Sequence, residues 1–180
     1  MHTVALVALN EFGIRLESAP NDWNDALPQG LSRPEQIEIF QRCHDREYIF
    51  LTNPYPGAVE ALDWVSRSGY EVWYVSDRKA DSHADTVEWL EKHGFPQTHN
   101  LHCSLDKRGL LEENKNRLAT IIDDRPRTLI FGRYELGLDS VFTLRHEYNK
   151  NFTDVPGIHI SEDWYGILDN LMEQFEGLKP

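Results

Sequence analysis

Apolar positions along this chain take two alternating forms. Thr3-Val4-Ala5-Leu6-Val7-Ala8-Leu9, Glu71-Val72-Trp73-Tyr74-Val75 and Ala119-Thr120-Ile121-Ile122 are nearly unbroken apolar runs of strand length. That is the pattern of parallel strands covered by helices on both faces. Between and after them, Ala58, Leu62 and Val65, then Ala84, Val87 and Leu90, then Trp164, Ile167, Leu168, Leu171 and Phe175 recur at helical spacing. The punctuation agrees: Pro56-Gly57 and Ser68-Gly69 bound the first of these helices, Gly94 and Pro96 stop the second, and Ser161 precedes the last. Ser32 with Glu35 and Ser82 with Asp85 have the spacing of capping boxes, the former ahead of Ile37, Phe40 and Cys43. Lys107 to Leu118 reads as a polar helix with Leu110, Leu111 and Leu118 inward, and Pro126 and Gly137 fit the start and end of another. Leu101–Cys103, Ser140–Leu144 and Gly157–Ile160 are shorter strand candidates.

Strand and helix in alternation predict an α/β fold with a mainly parallel sheet. Right-handed crossovers then bring the carboxyl ends of the three strong runs to one edge, where sites of such sheets lie. The 180 residues are expected to form one domain, 1–180, with no internal repeat or linker. Phe12 to Gly30 is loop-rich by its turn residues, and residues 13–52 read on their own as a surface excursion packed on the sheet edge. Eighteen basic against thirty acidic residues give a formal net charge of −12, which opposes a broad grip on nucleic acid or an anionic membrane and favours small substrates. Cys43 and Cys103 show no Cys-x-x-Cys spacing, so neither a disulfide framework nor a thiolate zinc site is indicated. With no secretory pattern at the start and no run approaching the ~20 apolar residues that span a bilayer, the expectation is a soluble, cytoplasmic protein without membrane partners.

The residues at the carboxyl ends of the three runs carry the chemistry. The first run stops at Asn10-Glu11, the second at Ser76-Asp77-Arg78, the third at Asp123-Asp124-Arg125, and Lys107 lies between the latter two in sequence. Adjacent carboxylates at the end of a buried strand repel one another unless a cation or hydrogen-bond donors compensate, so the Asp123-Asp124 pair points to a metal site. Ser76 alone reads as readily as a turn residue, Lys107 as a solvated helix start, and Arg78 and Arg125 as partners of neighbouring aspartates.

Taken together, Ser76, Lys107 and Asp123-Asp124 resemble, in order, the second, third and fourth motifs of the haloacid dehalogenase superfamily of phosphohydrolases. The resemblance implies a Rossmann-like three-layer core, a small helical cap formed by residues 13–52 as the alternative to a surface excursion, and Mg²⁺ as cofactor. Ser76 would bind a phosphoryl oxygen and Lys107 would neutralise its charge. Asp123 and Asp124, with the main-chain carbonyl of Asn10, would hold the metal. The family's first strand ends in Asp-x-Asp, whose members attack phosphorus and protonate the leaving group; here the corresponding stretch reads Ala8-Leu9-Asn10. Alanine has no attacking atom, and losing a nucleophile from a coupled set costs about a million-fold. The expectation is therefore an inactive chain, through engineered replacement of the two aspartates or natural loss. Ser76-Asp77-Arg78 with Thr86-Val87-Glu88-Trp89-Leu90 is similar to polynucleotide kinase/phosphatase phosphatase domains, and Tyr148-Asn149 with Asp163-Trp164 to 5′(3′)-deoxyribonucleotidases. Both imply a nucleotide or phosphorylated nucleic-acid end as partner, with Arg78 and Arg125 as further phosphate contacts through guanidinium forks. The competing expectation is an inert nucleotide-binding or regulatory protein.

Overall fold

A computed structural model describes residues 2–13, 31–104, 106–146, 149 and 155–175. The architecture is mixed α/β and mostly helical, with two small parallel sheets in place of one continuous one.

The first apolar run departs from its expected form. His2–Phe12 is a helix, α1, not a strand. A short continuous apolar run does not distinguish a buried strand from a buried helix by periodicity. Here Ala5, Ala8, Leu6 and Leu9 are strong helix formers, and they outnumber the β-branched Thr3, Val4 and Val7. Val7 and Ala8 are fully buried against Ile39, Cys43 and Tyr48 of the following segment. That segment consists of α2 (Arg33–Arg42) and α3 (Arg46–Phe50). The Ser32/Glu35 capping box forms as expected, with the Ser32 amide donating to Glu35 Oε2 at 2.7 Å. The Tyr48 hydroxyl donates to Glu11, and Arg42 Nη1 lies 2.6 Å from the other oxygen of the same carboxylate, tying α1 to the two helices. The loop-rich stretch 14–30 lies outside the described residues.

α4 (Ala58–Arg67) opens after Gly57, whose φ of +83° a side chain would strain, and whose Cα leaves only 3.2 Å between an added Cβ and the Trp164 and Tyr165 atoms above it. α4 leads to β1 (Tyr74–Ser76), and α5 (His83–Lys92) leads to β2 (Leu101–Cys103), which pairs with β1 in parallel, Tyr74 opposite Leu101. The expected Ser82/Asp85 box does not form, because its parts are used elsewhere. The Ser82 hydroxyl donates to the His44 carbonyl at 3.2 Å, and Asp85 is held by Arg46 at 2.6 Å, which together dock α3 on α5.

α6 (Lys107–Glu113) is shorter than the predicted helix and passes into a turn of 3₁₀ helix at Lys115–Arg117. The third apolar run makes one parallel bridge, Ile122 to Phe142, in place of a full strand. α7 (Pro126–Ile130) begins at proline as expected and continues as a π-helical turn, Phe131–Glu135. β3 (Val141–Leu144) and β4 (Ile158–Ser161) pair in parallel with Val141 opposite Ile158. α8 (Trp164–Phe175) takes its amide cap from Asp163, which accepts from the Gly166 N–H at 2.9 Å, while the Ser161 hydroxyl accepts from the Asn170 amide. Phe142 packs on Ile167 and Leu171 of α8, and Leu129, Phe131, Val141 and Ile121 form a second core on the other face. In place of the single Rossmann-like sheet expected, the described residues form two separate parallel pairings, β1-β2 and β3-β4, the second extended by the Ile122 bridge.

Candidate phosphate site at two strand ends

The carboxyl end of β1 and the end of the Ile121–Asp123 segment meet. Lys107, first residue of α6, places its Nζ 2.7 Å from Asp123 Oδ2, and the other Asp123 oxygen accepts from the Arg125 amide at 2.8 Å. Asp106 caps the same helix by accepting from the Gly109 N–H, which aims Lys107 inward from a fixed first turn. Across from it, the Arg125 guanidinium donates to Asp77, the residue after β1. These contacts bring Ser76, Asp77, Lys107, Asp123 and Arg125 to one place; ahead of the two segments Arg117 Nη2 lies 2.8 Å from Glu71 Oε2, so they start and end side by side and run in the same direction.

Arg78 is the feature of this site with the fewest local satisfactions. Its amide donates to Ser76 Oγ at 3.3 Å, and its guanidinium donates to Thr86 Oγ1 at 3.1 Å, while Thr86 itself donates to the Ser82 carbonyl. Among the described residues no carboxylate forms an ion pair with it. Burial holds its pKa below the ordinary arginine value, with the Cys103 and Cys43 thiols opposing that shift. A half-buried guanidinium bonded to a hydroxyl keeps further N–H donors of the kind that pair with anions. Nearby, His44 is pushed below the ordinary histidine value by burial and by Arg78 and Lys79, so it stays neutral beside that charge. His146 is likewise lowered by burial, against the pull of Asp124.

Of the residues singled out by sequence, the structure draws Ser76, Arg78, Lys107, Asp123 and Arg125 to this edge, with Asp124 next in chain. Arg125 has a neighbouring aspartate as partner, Asp77; Arg78 does not. Ala8 and Asn10 lie on α1, Ala8 fully buried in the α1–α3 core and Asn10 exposed, and neither bonds to a residue of this site among the described residues. Their alignment with a strand end rested on a strand that the helix replaces. Thr86, the buried partner of Arg78, is a site residue that sequence reasoning missed. Its signals in sequence are its place at the head of the Thr86–Leu90 stretch and the helical spacing from Ser82, whose carbonyl accepts from its hydroxyl.

Magnesium binds through one or two carboxylates and keeps several waters. Asp123 and Asp124 are donors of that kind. Among the described residues no cluster of three or more His, Cys, Asp or Glu side chains exists to make an all-protein cage. No described helix is long and apolar enough to cross a membrane.

No family model matches the chain, and no solved structure does so at a significant level. Among curated proteins, one from Bacillus cereus named "Putative nucleotidase" is 26% identical over 135 residues, which covers 71% of this chain. The match spans 60% of that relative's length, so the chain is distantly similar to part of a protein named as a nucleotidase.

Proposed function

We propose that this chain is a phosphohydrolase scaffold of the haloacid dehalogenase type that binds a nucleotide phosphate at the joined ends of β1 and the Ile121–Asp123 segment. The observation that carries this is the cationic set Arg78, Lys107 and Arg125 around Ser76 and Asp123, with the nucleotidase relative as independent support. Arg78 supplies a planar pair of donors to phosphoryl oxygens, Ser76 Oγ a further hydrogen bond, and Lys107 a point charge that its Asp123 contact keeps in place. Asp123 and Asp124 are the residues that would hold Mg²⁺, which when bound polarises the phosphoryl group. A nucleoside monophosphate is the favoured ligand over a nucleic-acid end, because the net charge of −12 repels a long polyanion while leaving a short one to the local cations. A cap role for the described part of residues 13–52 is supported by its docking beside Arg78, His44 on Ser82 and Arg46 on Asp85. The nucleophile is left unassigned, Ala8 having neither the chemistry nor the position.

The test is calorimetric titration of the full chain with 5′- and 3′-nucleoside monophosphates and a 3′-phosphorylated oligonucleotide, with and without Mg²⁺, alongside phosphate release in the same samples. The expected result is Mg²⁺-dependent binding of a monophosphate that weakens more than tenfold in Arg78→Met and in Lys107→Met. Silence across the panel from a folded chain overturns the reading. Binding without release would favour the inert nucleotide-binding protein over a working hydrolase.

A further inference from the structure

Arg78 is held by an acceptor that carries no charge. Its Nη1 donates to Thr86 Oγ1 at 3.1 Å, and the Thr86 hydroxyl proton is spent on the Ser82 carbonyl at 2.7 Å, so towards Arg78 that oxygen can only accept. Thr86 and Ser82 are 5% and 6% exposed, which keeps water from competing for either bond. The helix start that carries them is braced from outside. The Ser82 hydroxyl donates to the His44 carbonyl at 3.2 Å, and Arg46 lies 2.6 Å from Asp85 and 2.6 Å from Glu88, which stand on either side of Thr86 in α5. Hydrogen bonds thus run without a break from the α2–α3 segment through Ser82 and Thr86 to the Arg78 guanidinium.

The kind of acceptor decides what the arginine can do. A carboxylate at position 86 would grip the guanidinium more tightly, but it would cancel the charge that an anion needs. With no acceptor at all the charge would survive while the long side chain sampled many rotamers, and ordering it would weaken binding. A hydroxyl fixes one Nη1 N–H and leaves the positive charge, with the Nε and Nη2 donors, for an incoming anion. The site's own carboxylates are engaged elsewhere, Asp77 by the Arg125 guanidinium and Asp123 by Lys107. We propose that Thr86 is a positioning residue for anion binding, which sets the pose of the Arg78 guanidinium without neutralising it, and that Ser82 and the Arg46 clamp hold Thr86 in place. The identity of the anion rests on the phosphate reading above; the hold on the guanidinium does not.

The test compares the full chain with Thr86→Val, which keeps the shape and deletes the hydroxyl, and Thr86→Ser, which restores it. Arg78→Met, alone and with Thr86→Val, assigns the Arg78 guanidinium signals and closes a double-mutant cycle. Phe142 and Ile167 amides report folding in the same NMR spectra. Without ligand, rotation about the Arg78 Cζ–Nη1 bond should be about tenfold faster in Thr86→Val than in the native chain, and slow again in Thr86→Ser. In chemical-shift titrations with inorganic phosphate and Mg²⁺, Thr86→Val should bind about tenfold more weakly and Thr86→Ser within about threefold of the native chain. In the Arg78→Met background the valine should add less than about twofold, whereas a general disturbance of α5 would cost as much there as in the native chain. Unchanged rotation in folded Thr86→Val, a failure of serine to restore it, native phosphate affinity in Thr86→Val, or a loss that persists in full beside Arg78→Met each overturns the proposal. If the native chain binds no phosphate, the phosphate reading falls, and the rotation rates alone decide whether Thr86 positions Arg78.

Discussion

Replacing Lys107 by methionine isolates the strongest electrostatic contact of the site. Its Nζ sits 2.7 Å from Asp123 Oδ2, with the two side chains 20% and 7% exposed. Methionine keeps the stem and deletes the charge, leaving the Asp123 carboxylate to the Arg125 amide that donates to it at 2.8 Å. Removing one partner of a fully buried pair costs about 3–5 kcal/mol, and the residual exposure of Lys107 discounts that to roughly 2–3 kcal/mol. In a chain of this size that lowers the unfolding midpoint by about 5–10 °C. A double-mutant cycle with Asp123→Asn separates the pair from the loss of each residue, and the coupling should be about 1.5–3 kcal/mol. Arg67 and Asp63, 80% and 41% exposed, serve as the control pair. Their coupling should be no more than about 0.5 kcal/mol and should vanish in high salt, while that of Lys107 and Asp123 survives. Urea unfolding of the four proteins of each cycle measures both. A Lys107–Asp123 coupling below the control value, or one abolished by salt, would refute the buried pair as the element that fixes the site.

Other consequences are as direct. Ala8→Asp, which would restore a nucleophile had the first run been a strand, should instead bury a carboxyl among Val7, Ile39, Cys43 and Tyr48 and cost about 3 kcal/mol or more, while Asn10→Asp on the exposed face should cost less than about 0.5 kcal/mol; calorimetric midpoints distinguish them. Gly157→Ala meets both a φ of +81° and the Asp139 carbonyl 2.7 Å from the new Cβ, so a loss of about 2–4 kcal/mol is expected in urea titration. Phe142→Ala empties the fully buried position between β3 and α8 and should cost about 3–5 kcal/mol, read from the same kind of titration. Acid should weaken the fold in a defined window: His44, His146 and His159 all have lowered values when folded, so below their ordinary value of about 6.5 the unfolded chain binds more protons. Stability is thus full above that pH and falls as pH drops towards the folded values, and His44→Gln should flatten the slope of midpoint against pH between about 7 and 5.5.

The sequence by itself determined the elements whose signals are local. Pro56-Gly57, Ser32 with Glu35 and Pro126 mark helix starts through backbone geometry that neighbouring residues dictate, and the Trp164 to Phe175 stripe needs only one buried face to settle its period. Part of the candidate site was legible for a related reason: residues that end parallel apolar runs collect at one edge, as Ser76 and Asp123 do, while Lys107 joins them from the start of α6 and Asn10 does not. Only the tertiary structure decided the rest. Thr3–Leu9 is equally apolar as helix or strand, and the partner offered by Ile39, Cys43 and Tyr48 selects the helix. Ser82 and Asp85 had the spacing of a cap, but His44 and Arg46, some forty residues earlier in the chain, compete for them. Whether Arg78 or Arg125 found a carboxylate depended on which loops met, and so did the pairing of strand edges, because hydrogen bonds between strands are made by backbone groups that every residue carries alike.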